Sequence, residues 1–326
     1  MRGSRPADLP PQRILITGAG GFVGRHLLAL CAERFPDARL LPTGEREQAG
    51  VHRLDVTDFA AARAIIQEFR PDAVVHLAGV AAVAEANRAA PRTWRVNLGG
   101  TCRLARAVLE AAPAAWFLFA SSAAVYGRSF RAGLPLSEIA PLAPLDTYAA
   151  TKAAAEMALS AMVSEGLRLV RLRPFNHIGP GQSEAFAIGA FAAQIARIEA
   201  GRQPPELAVG SLAASRDFLD VRDVCAGYLA ALERAETLES GIAINLASGT
   251  ARRIGTVLDE LLSRARVAIE VHTDQQRLRP ADLAVSVGDA ALATRLLGWR
   301  PVVPWEKTLS DLLADWRERV LSARHP

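Results

Sequence analysis

The amino-acid sequence predicts an α/β protein built on a doubly wound parallel sheet, followed by a smaller C-terminal domain. Three observations indicate this architecture. Short apolar runs alternate with alanine-rich helical runs in the first half of the chain, which is typical of a parallel sheet covered by helices. The first of these runs leads directly into a glycine-rich turn. After Pro174 the alternation weakens, and loops rich in glycine and proline become frequent.

The first half contains six predicted strands. In order they read RILITG, ARLLPT, HRLDV, AVVHLAG, FLFASS and LRLVRLRP. Helical patterns lie between them, for example over residues 24–35 and 92–111. A further strand-like run, IAINLAS, comes after the loops of the second half. We expect this late strand to return to the first domain.

Composition and charge exclude several classes of protein. The chain has 326 residues and a formal net charge of +4, carried by scattered arginines rather than by the basic cluster of a nucleic-acid-binding protein. The N-terminal residues lack the apolar core of a signal peptide. The longest apolar stretch, residues 111–125, contains Pro113 and is too short to cross a bilayer. We therefore expect a cytoplasmic protein with no nucleic-acid or membrane partner.

The cysteines and histidines predict neither disulfides nor a metal site. Cys31, Cys102 and Cys225 are widely spaced and form no CxxC pair, so we expect buried free thiols in a reducing compartment. The six histidines show no metal-binding spacing such as HExxH.

The turn after the first strand is the first candidate site. It reads ITGAGGFVGRHL, with Gly18, Gly21 and Gly24 around Phe22 and Val23. Glycines let the backbone turn tightly and approach a pyrophosphate, and the N-terminus of the following helix favours negative charge. An ordinary strand-to-helix turn can look similar, but the position after an N-terminal strand favours a Rossmann-type domain that binds NAD or NADP.

The ends of the next strands predict further coenzyme contacts. Thr43 ends the second strand, where an acid often binds the ribose 2′-hydroxyl of NAD. Nearby, Glu45 suits NAD and Arg46 suits the 2′-phosphate of NADP, and either could instead be a solvated charge. The third and fourth strands end in residues that can contact the adenine and leave room for the dinucleotide: Asp55, Val56, Leu77, Ala78 and Gly79.

The stretch TYAATKAAAE is the second candidate site. Tyr148 and Lys152 are four residues apart and therefore share one face of a helix. A free phenol has a pKa of about 10. We expect the lysine ammonium and a bound, positively charged nicotinamide to lower the pKa of Tyr148, which would make it an acid or base for a hydroxyl–carbonyl interconversion. A chance pair on an alanine-rich helix is the alternative.

Together, the glycine turn, the serine at the end of the fifth strand and the YxxxK pair resemble the extended short-chain dehydrogenase/reductase family, which modifies nucleotide sugars. The resemblance implies that Ser122 hydrogen-bonds the reacting sugar oxygen, that Tyr148 transfers the proton and that Lys152 holds the nicotinamide ribose. It also places Asn97 in support of this site and Phe175 against the nicotinamide. It further implies a homodimer formed by helices of the first domain.

The residues after Ser122 limit the reaction. In the dehydratases of this family, the serine or threonine at this position is followed by a pair that ends in a glutamate, and that glutamate removes the proton from carbon 5 of the sugar. Here the pair is Ala123 and Ala124, and a methyl group cannot act as a base. We therefore expect hydride transfer without elimination of water.

The second half resembles the GDP-4-keto-6-deoxymannose reductases of the family, in RPFNHIGPGQSEAF and VGSLAASRDFLDVRDV. The resemblance implies that Asn176, Arg216 and Arg279 bind the substrate diphosphate, which guanidinium groups suit. His177 could contact the sugar or only fill space. The expected reaction is NAD(P)H-dependent reduction of a nucleotide-bound 4-keto-6-deoxyhexose. A 4-epimerase that retains NAD is the alternative, and a non-catalytic dinucleotide sensor is disfavoured because Tyr148 and Lys152 are both present.

These expectations divide the chain as follows. Residues 1–12 form a flexible N-terminal segment. Residues 13–174 form the Rossmann-type NAD(P)-binding domain, which the chain re-enters around 218–247. Residues 175–326 otherwise form the smaller substrate-binding domain.

Overall fold

A computed structural model describes residues 10–275 and 283–322 of the chain. Its strands are β1 Arg13–Thr17, β2 Arg39–Gly44, β3 His52–Arg53, β4 Ala73–His76, β5 Trp116–Ala120, β6 Arg168–Pro174, β7 Asn176–Ile178, β8 Glu206–Val209, β9 Ser215–Asp220, β10 Ile242–Leu246, β11 Ala251–Arg253, β12 Glu270–Thr273 and β13 Val285–Ser286. Its helices are α1 Phe22–Arg34, α2 Phe59–Phe69, α3 Val83–Arg88, α4 Ala90–Trp94, α5 Thr101–Ala111, α6 Thr147–Val163, α7 Ala187–Glu199, α8 Val221–Arg234, α9 Ile254–Leu262, α10 Ala291–Leu297 and α11 Trp305–Ser322. A π-helical turn, Arg95–Gly100, joins α4 to α5, and 3₁₀-helical segments occupy Ala123–Ala132 and Ala235–Thr237.

The central sheet is parallel and doubly wound. Its order is β10-β6-β5-β4-β1-β2-β3, and every adjacent pair is parallel. The chain runs outward from β1 to β3, returns to β4 beside β1 and continues in the opposite direction. The crevice between β1 and β4 is therefore the topological switch point, where such sheets bind ligands. The late strand IAINLAS supplies β10, which pairs with β6. The predicted fold class is confirmed.

Apolar cores form on both faces of this sheet. On one face, Leu27 and Cys31 of α1 and Val224 of α8 pack against strand residues such as Ile16 and Leu118. On the other face, α2, α5 and α6 pack against alternate residues of the same strands. The strands are buried on both sides, which explains their nearly continuous apolar character.

The rest of the chain forms a smaller part with its own core. Strand β9 pairs with β7, β11 and β13, and β8 pairs with β12. Helices α7, α9 and α11 surround a core that includes Phe218 of β9 and Trp305 of α11. Because β7 follows directly after β6, this smaller part begins immediately after the sixth strand of the chain.

Two expectations need correction. Cys31 and Cys225 are buried free thiols, but Cys102 is only half-buried because it lies on the flank of α5 that faces away from the core. The third strand ends at Arg53, so Asp55 and Val56 follow the strand rather than end it.

Within residues 10–275 and 283–322, no group of residues could hold a metal ion, and none of the helices described there is long and apolar enough to span a bilayer.

Candidate active site

The glycine turn forms a cradle that fits a dinucleotide pyrophosphate. Gly18 has a φ of +70°, and a Cβ at this position would lie 2.8 Å from the backbone nitrogen of Ala78. A Cβ at Gly24 would lie 2.3 Å from the carbonyl oxygen of Gly18. Helix α1 begins directly after Gly21, and no side chain caps it. Its first N–H groups, at Phe22 and Val23, therefore remain available to a phosphate.

The structure after β2 distinguishes the two residues that could determine coenzyme preference. The Thr43 hydroxyl is buried and donates to the carbonyl oxygen of Ile16 at 3.3 Å, so it faces the protein interior. The Glu45 carboxylate accepts two hydrogen bonds from Nη2 of Arg92, at 3.2 and 3.1 Å. Arg46 is exposed and pairs with no carboxylate in the part of the chain described here. Glu45 is thus neutralised by a protein partner, whereas Arg46 is not.

Further predicted coenzyme contacts lie in the loops after β3 and β4. Asp55 is exposed, and the hydrogen bonds that its carboxylate accepts from the backbone and hydroxyl of Thr57 lower the pKa of Asp55. Val56 is buried, and a Cβ at Gly100 would lie 2.7 Å from its side chain. After β4, Leu77 and Ala78 are half-buried and Gly79 is exposed. Leu77 and Ala78 lie beside the turn that contains Gly18.

Two hydroxyl groups meet at the start of α6. Asp146 caps this helix by accepting a hydrogen bond from the Ala149 backbone at 2.8 Å, and Tyr148 lies in the first turn. The Tyr148 phenol lies near the hydroxyl of Ser122, which follows β5, and this contact acts to lower the pKa of Tyr148. Ser122 Oγ also accepts a hydrogen bond from the Ala124 backbone at 3.1 Å. The structure therefore brings together a serine and a tyrosine that are far apart in the sequence.

Lys152 lies one turn further along α6 and is buried. Its ammonium donates to the carbonyl oxygen of Ala120 at 2.7 Å and lies 4.8 Å from the centre of the Phe119 ring. Burial lowers the pKa of Lys152 to about 8, although the negative charge of Glu156 opposes the shift. A Cβ at Gly79 would lie 3.7 Å from Lys152 Nζ, so the lysine adjoins the end of β4.

The expected lowering of the Tyr148 pKa is not found in the protein alone. Burial raises the pKa of Tyr148, the hydrogen bond to Ser122 partly offsets this shift, and the charge of Asp146 reinforces it. The Lys152 ammonium is not among the causes, because it is directed towards the Ala120 carbonyl. The phenol is therefore protonated at neutral pH, which is the form that can donate a proton.

A hydrogen-bonded chain supports the site from behind. Asn97 Oδ1 accepts from the Val80 backbone at 2.8 Å, and its Nδ2 donates to Val80 O and to Thr151 Oγ1 of α6, each at 3.1 Å. Thr101 donates to Asn97 O, which leaves His76 Nε2–H to donate to Thr101 Oγ1 at 2.9 Å. Burial lowers the pKa of His76 to about 3, so this imidazole stays neutral. The π-helical turn thus connects β4 with α6.

The substrate side of the site begins at the end of β6. Phe175 is buried and packs against Phe130 and Gly288, so its ring faces the core rather than the crevice. Asn176 is exposed. His177 Nδ1 lies 2.9 Å from Phe175 O, and its ring stacks on Phe22 with centroids 6.0 Å apart. These contacts favour a packing role for His177.

Arg216 lies on β9, in the smaller part. Asn176 pairs with Phe218 in the parallel β7–β9 register, and residues two apart on a strand share a face, so Asn176 and Arg216 point to the same side. Arg216 donates to the carbonyl oxygens of Ser215 and Leu283 at 2.8 and 3.1 Å. Within the described ranges it pairs with no carboxylate, which leaves its charge available to an anion. Arg279 lies outside the described residues, as do residues 1–9 of the predicted N-terminal segment.

Sequence reasoning missed the buried charges behind the site. Glu156 is fully buried on α6, and Arg173 of β6 forms an ion pair with it at 2.6 Å. Two signals were present in the sequence. The glutamate is a lone acid one turn after Lys152 on an alanine-rich helix, and the strand RLVRLRP carries arginines at positions that a parallel sheet buries.

Comparisons with known proteins agree with this geometry. The model of the NAD dependent epimerase/dehydratase family matches residues 14–247. The chain is 39% identical to GDP-6-deoxy-D-mannose reductase of Pseudomonas aeruginosa over 95% of its own length and 98% of that protein. It is 27% identical to UDP-glucose 4-epimerase of Drosophila melanogaster, over 95% of the chain and 97% of the relative.

A solved structure has the same fold. It is the structure of RMD from Pseudomonas aeruginosa in complex with NADPH, which superimposes with a TM-score of 0.85 at 38% identity. The alignment covers 94% of the chain and 99% of that structure. The likeness therefore includes the smaller part as well as the central sheet.

Proposed function

The chain belongs to the NAD dependent epimerase/dehydratase family, and from this premise we propose that it reduces a nucleotide-diphosphate 4-keto-6-deoxyhexose with NAD(P)H. The substrate that fits best is GDP-4-keto-6-deoxy-D-mannose, with GDP-D-rhamnose or its 4-epimer as product. The observation that carries this proposal is the pair of hydroxyl groups on Ser122 and Tyr148, which lies beside Lys152. Two alanines follow Ser122 in the sequence.

The residues of the chain divide the chemistry between them. Gly18, Gly21 and Gly24 would hold the pyrophosphate of the coenzyme, which when bound would supply a hydride to carbon 4 of the sugar. Tyr148 donates its phenolic proton to the carbonyl oxygen as the carbon–oxygen double bond becomes a single bond, and solvent reprotonates the phenolate. Ser122 donates a hydrogen bond to the same oxygen, and Lys152 binds the nicotinamide ribose and favours the transient phenolate.

We expect faster reduction with NADPH than with NADH. Arg46 is free to meet a 2′-phosphate, whereas Glu45, which would bind a 2′-hydroxyl, is already held by Arg92. The test supplies GDP-4-keto-6-deoxy-D-mannose from a separate dehydratase and follows coenzyme absorbance with each coenzyme. Mass spectrometry then identifies the GDP-6-deoxyhexose formed. If neither coenzyme is consumed, the proposal fails.

A 4-epimerase is the second candidate, because UDP-glucose 4-epimerases are among the relatives. An epimerase must keep its NAD through the catalytic cycle, whereas a reductase must exchange coenzyme at each turnover. Mass spectrometry of the purified protein separates the two. Tightly retained NAD would favour epimerisation, and an exchangeable site would favour reduction.

Arg216→Ala is expected to raise the substrate KM about 10- to 100-fold, because it deletes charge-assisted hydrogen bonds worth about 1.5–3 kcal/mol to the diphosphate. Arg253→Ala is the matched control. Arg253 is exposed. On the strand next to β9 it pairs with Ser215, the residue before Arg216. Its removal should leave KM unchanged. If Arg216→Ala instead weakened NADPH binding, this arginine would belong to the coenzyme site.

We further propose a homodimer formed through helices of the first domain. Met157 of α6 is 68% exposed and Trp94 of α4 is 40% exposed, so both offer apolar surface to a second copy of the chain. Sedimentation at the mass of one chain would contradict the dimer.

The proposed division of the chain assigns residues 13–174 and 218–247 to the coenzyme domain, and most of 175–326 to the substrate domain. A cytoplasmic location suits the free cysteines, because reducing compartments keep thiols unpaired.

A further inference from the structure

Three consecutive residues at the C-terminal end of β5 each contact helix α6. The carbonyl oxygen of Ala120 accepts a hydrogen bond from Lys152 Nζ at 2.7 Å. The hydroxyl of Ser121 donates to Oε1 of Glu156. The hydroxyl of Ser122 lies near the Tyr148 phenol. The three helix residues are four apart, at 148, 152 and 156, so one face of α6 holds the whole strand end.

Of these three contacts, the one made by Glu156 continues into a network of hydrogen bonds with other strands. Its carboxylate accepts from Arg173 Nε at 2.9 Å and Nη2 at 2.6 Å, and Arg171 Nη1 lies 3.3 Å away. Arg173 in turn donates from Nη1 to Tyr126 OH at 2.9 Å. The Tyr126 hydroxyl donates to Asn245 Oδ1 of β10 at 2.7 Å. The carboxylate therefore connects α6 with β5, β6 and β10.

We propose that Glu156 is a positioning residue for the reduction: its carboxylate holds the strand end that carries Ser122 against the helix that carries Tyr148 and Lys152. This inference rests on the proposed function. Glu156 is fully buried behind the site, and it acts through its hydrogen bond from Ser121 and through its charge on Lys152. Small displacements of catalytic groups are costly, since a shift of about 1 Å can reduce a rate about 100-fold.

The test compares Glu156→Gln with Glu199→Gln. Glu199 is a matched control, because this carboxylate at the end of α7 in the smaller part has a side chain only 5% exposed and accepts from Arg317 at 2.6 and 2.7 Å. Both variants leave arginine without its counter-charge, so both lose stability. Circular dichroism and thermal unfolding set a temperature at which all proteins are folded. Steady-state kinetics then give kcat and KM, and fluorescence quenching gives the Kd for NADPH.

We expect Glu156→Gln to lower kcat about 10- to 100-fold with little change in substrate KM, and to weaken NADPH binding through the displaced Lys152. Glu199→Gln should leave kcat and the NADPH Kd close to those of the wild type. If the two variants change kcat and Kd to the same extent, the carboxylate is only structural and the proposal is overturned.

Ser121→Ala decides the question if Glu156→Gln does not fold. This variant removes one hydrogen bond to the carboxylate and leaves both arginines paired. A lower kcat at unchanged KM supports the positioning role, and a wild-type kcat overturns it. The NADPH Kd also separates this inference from the proposed function. A wild-type chain that binds NADPH without reducing the keto sugar would refute that function, and the Kd values would still decide the role of Glu156.

Discussion

Tyr148→Phe is expected to lower kcat for reduction by about 10²- to 10⁴-fold, the usual contribution of a general acid or base. The variant loses the phenolic proton that the sugar oxygen receives, while the ring and the helix stay in place. Burial raises the pKa of Tyr148, so the wild-type phenol carries this proton at neutral pH. Rapid kinetics with GDP-4-keto-6-deoxy-D-mannose and NADPH measure the effect.

Lys152→Ala is the comparison for this prediction. Lys152 is buried against Ala120 and Phe119, and it binds the nicotinamide ribose in the proposed function. Its removal should weaken NADPH binding as well as kcat, whereas Tyr148→Phe should leave the NADPH Kd nearly unchanged. A wild-type rate in Tyr148→Phe would remove this tyrosine from the mechanism.

Elimination of water is expected to be absent when the protein receives GDP-mannose and oxidised coenzyme. Loss of water requires a base at carbon 5, and the two residues that follow Ser122 are Ala123 and Ala124. Ala123 is buried, and neither methyl group can accept a proton. Mass spectrometry should detect no GDP-4-keto-6-deoxyhexose, even after long incubation with a large amount of protein.

Two carboxylates influence the pKa values of Tyr148 and Lys152, and both already accept hydrogen bonds from the protein. Asp146 caps α6 through the Ala149 backbone, and Glu156 is bound by Ser121 and Arg173. The reaction is best run in deuterium oxide with no partner enzyme. Deuterium at carbon 5 of a product formed from GDP-mannose would reveal a base that the structure does not identify, and would refute this prediction.

Much of the fold could be predicted because the signals are local. Apolar runs such as RILIT and AVVH are continuous because their strands are buried on both faces. No residue other than glycine fits at position 18 or 24, since a Cβ at either position would collide with the backbone. The YxxxK spacing needs only helical geometry to place Tyr148 and Lys152 on one face.

Other features depend on distances that no local pattern contains. Cys102 lies in an apolar helical pattern like those of Cys31 and Cys225, but its place on the flank of α5 leaves it half-buried. The pKa of Tyr148 depends on burial and on the direction of the Lys152 ammonium. Glu45 and Arg46 are neighbours in the sequence, and only the approach of Arg92 distinguishes them.

By itself, the sequence determined the parallel sheet, the glycine turn, the YxxxK helix and the missing base, because each depends on residue type and on spacing within a few turns of chain. The tertiary structure alone decided how these parts are held together. Ser121 meets Glu156 across 35 residues, and Tyr126 meets Asn245 across 119. Such partners are chosen by the order of the strands and by the need of buried charges and hydroxyls to find one another, since an unpaired polar group in the interior is costly.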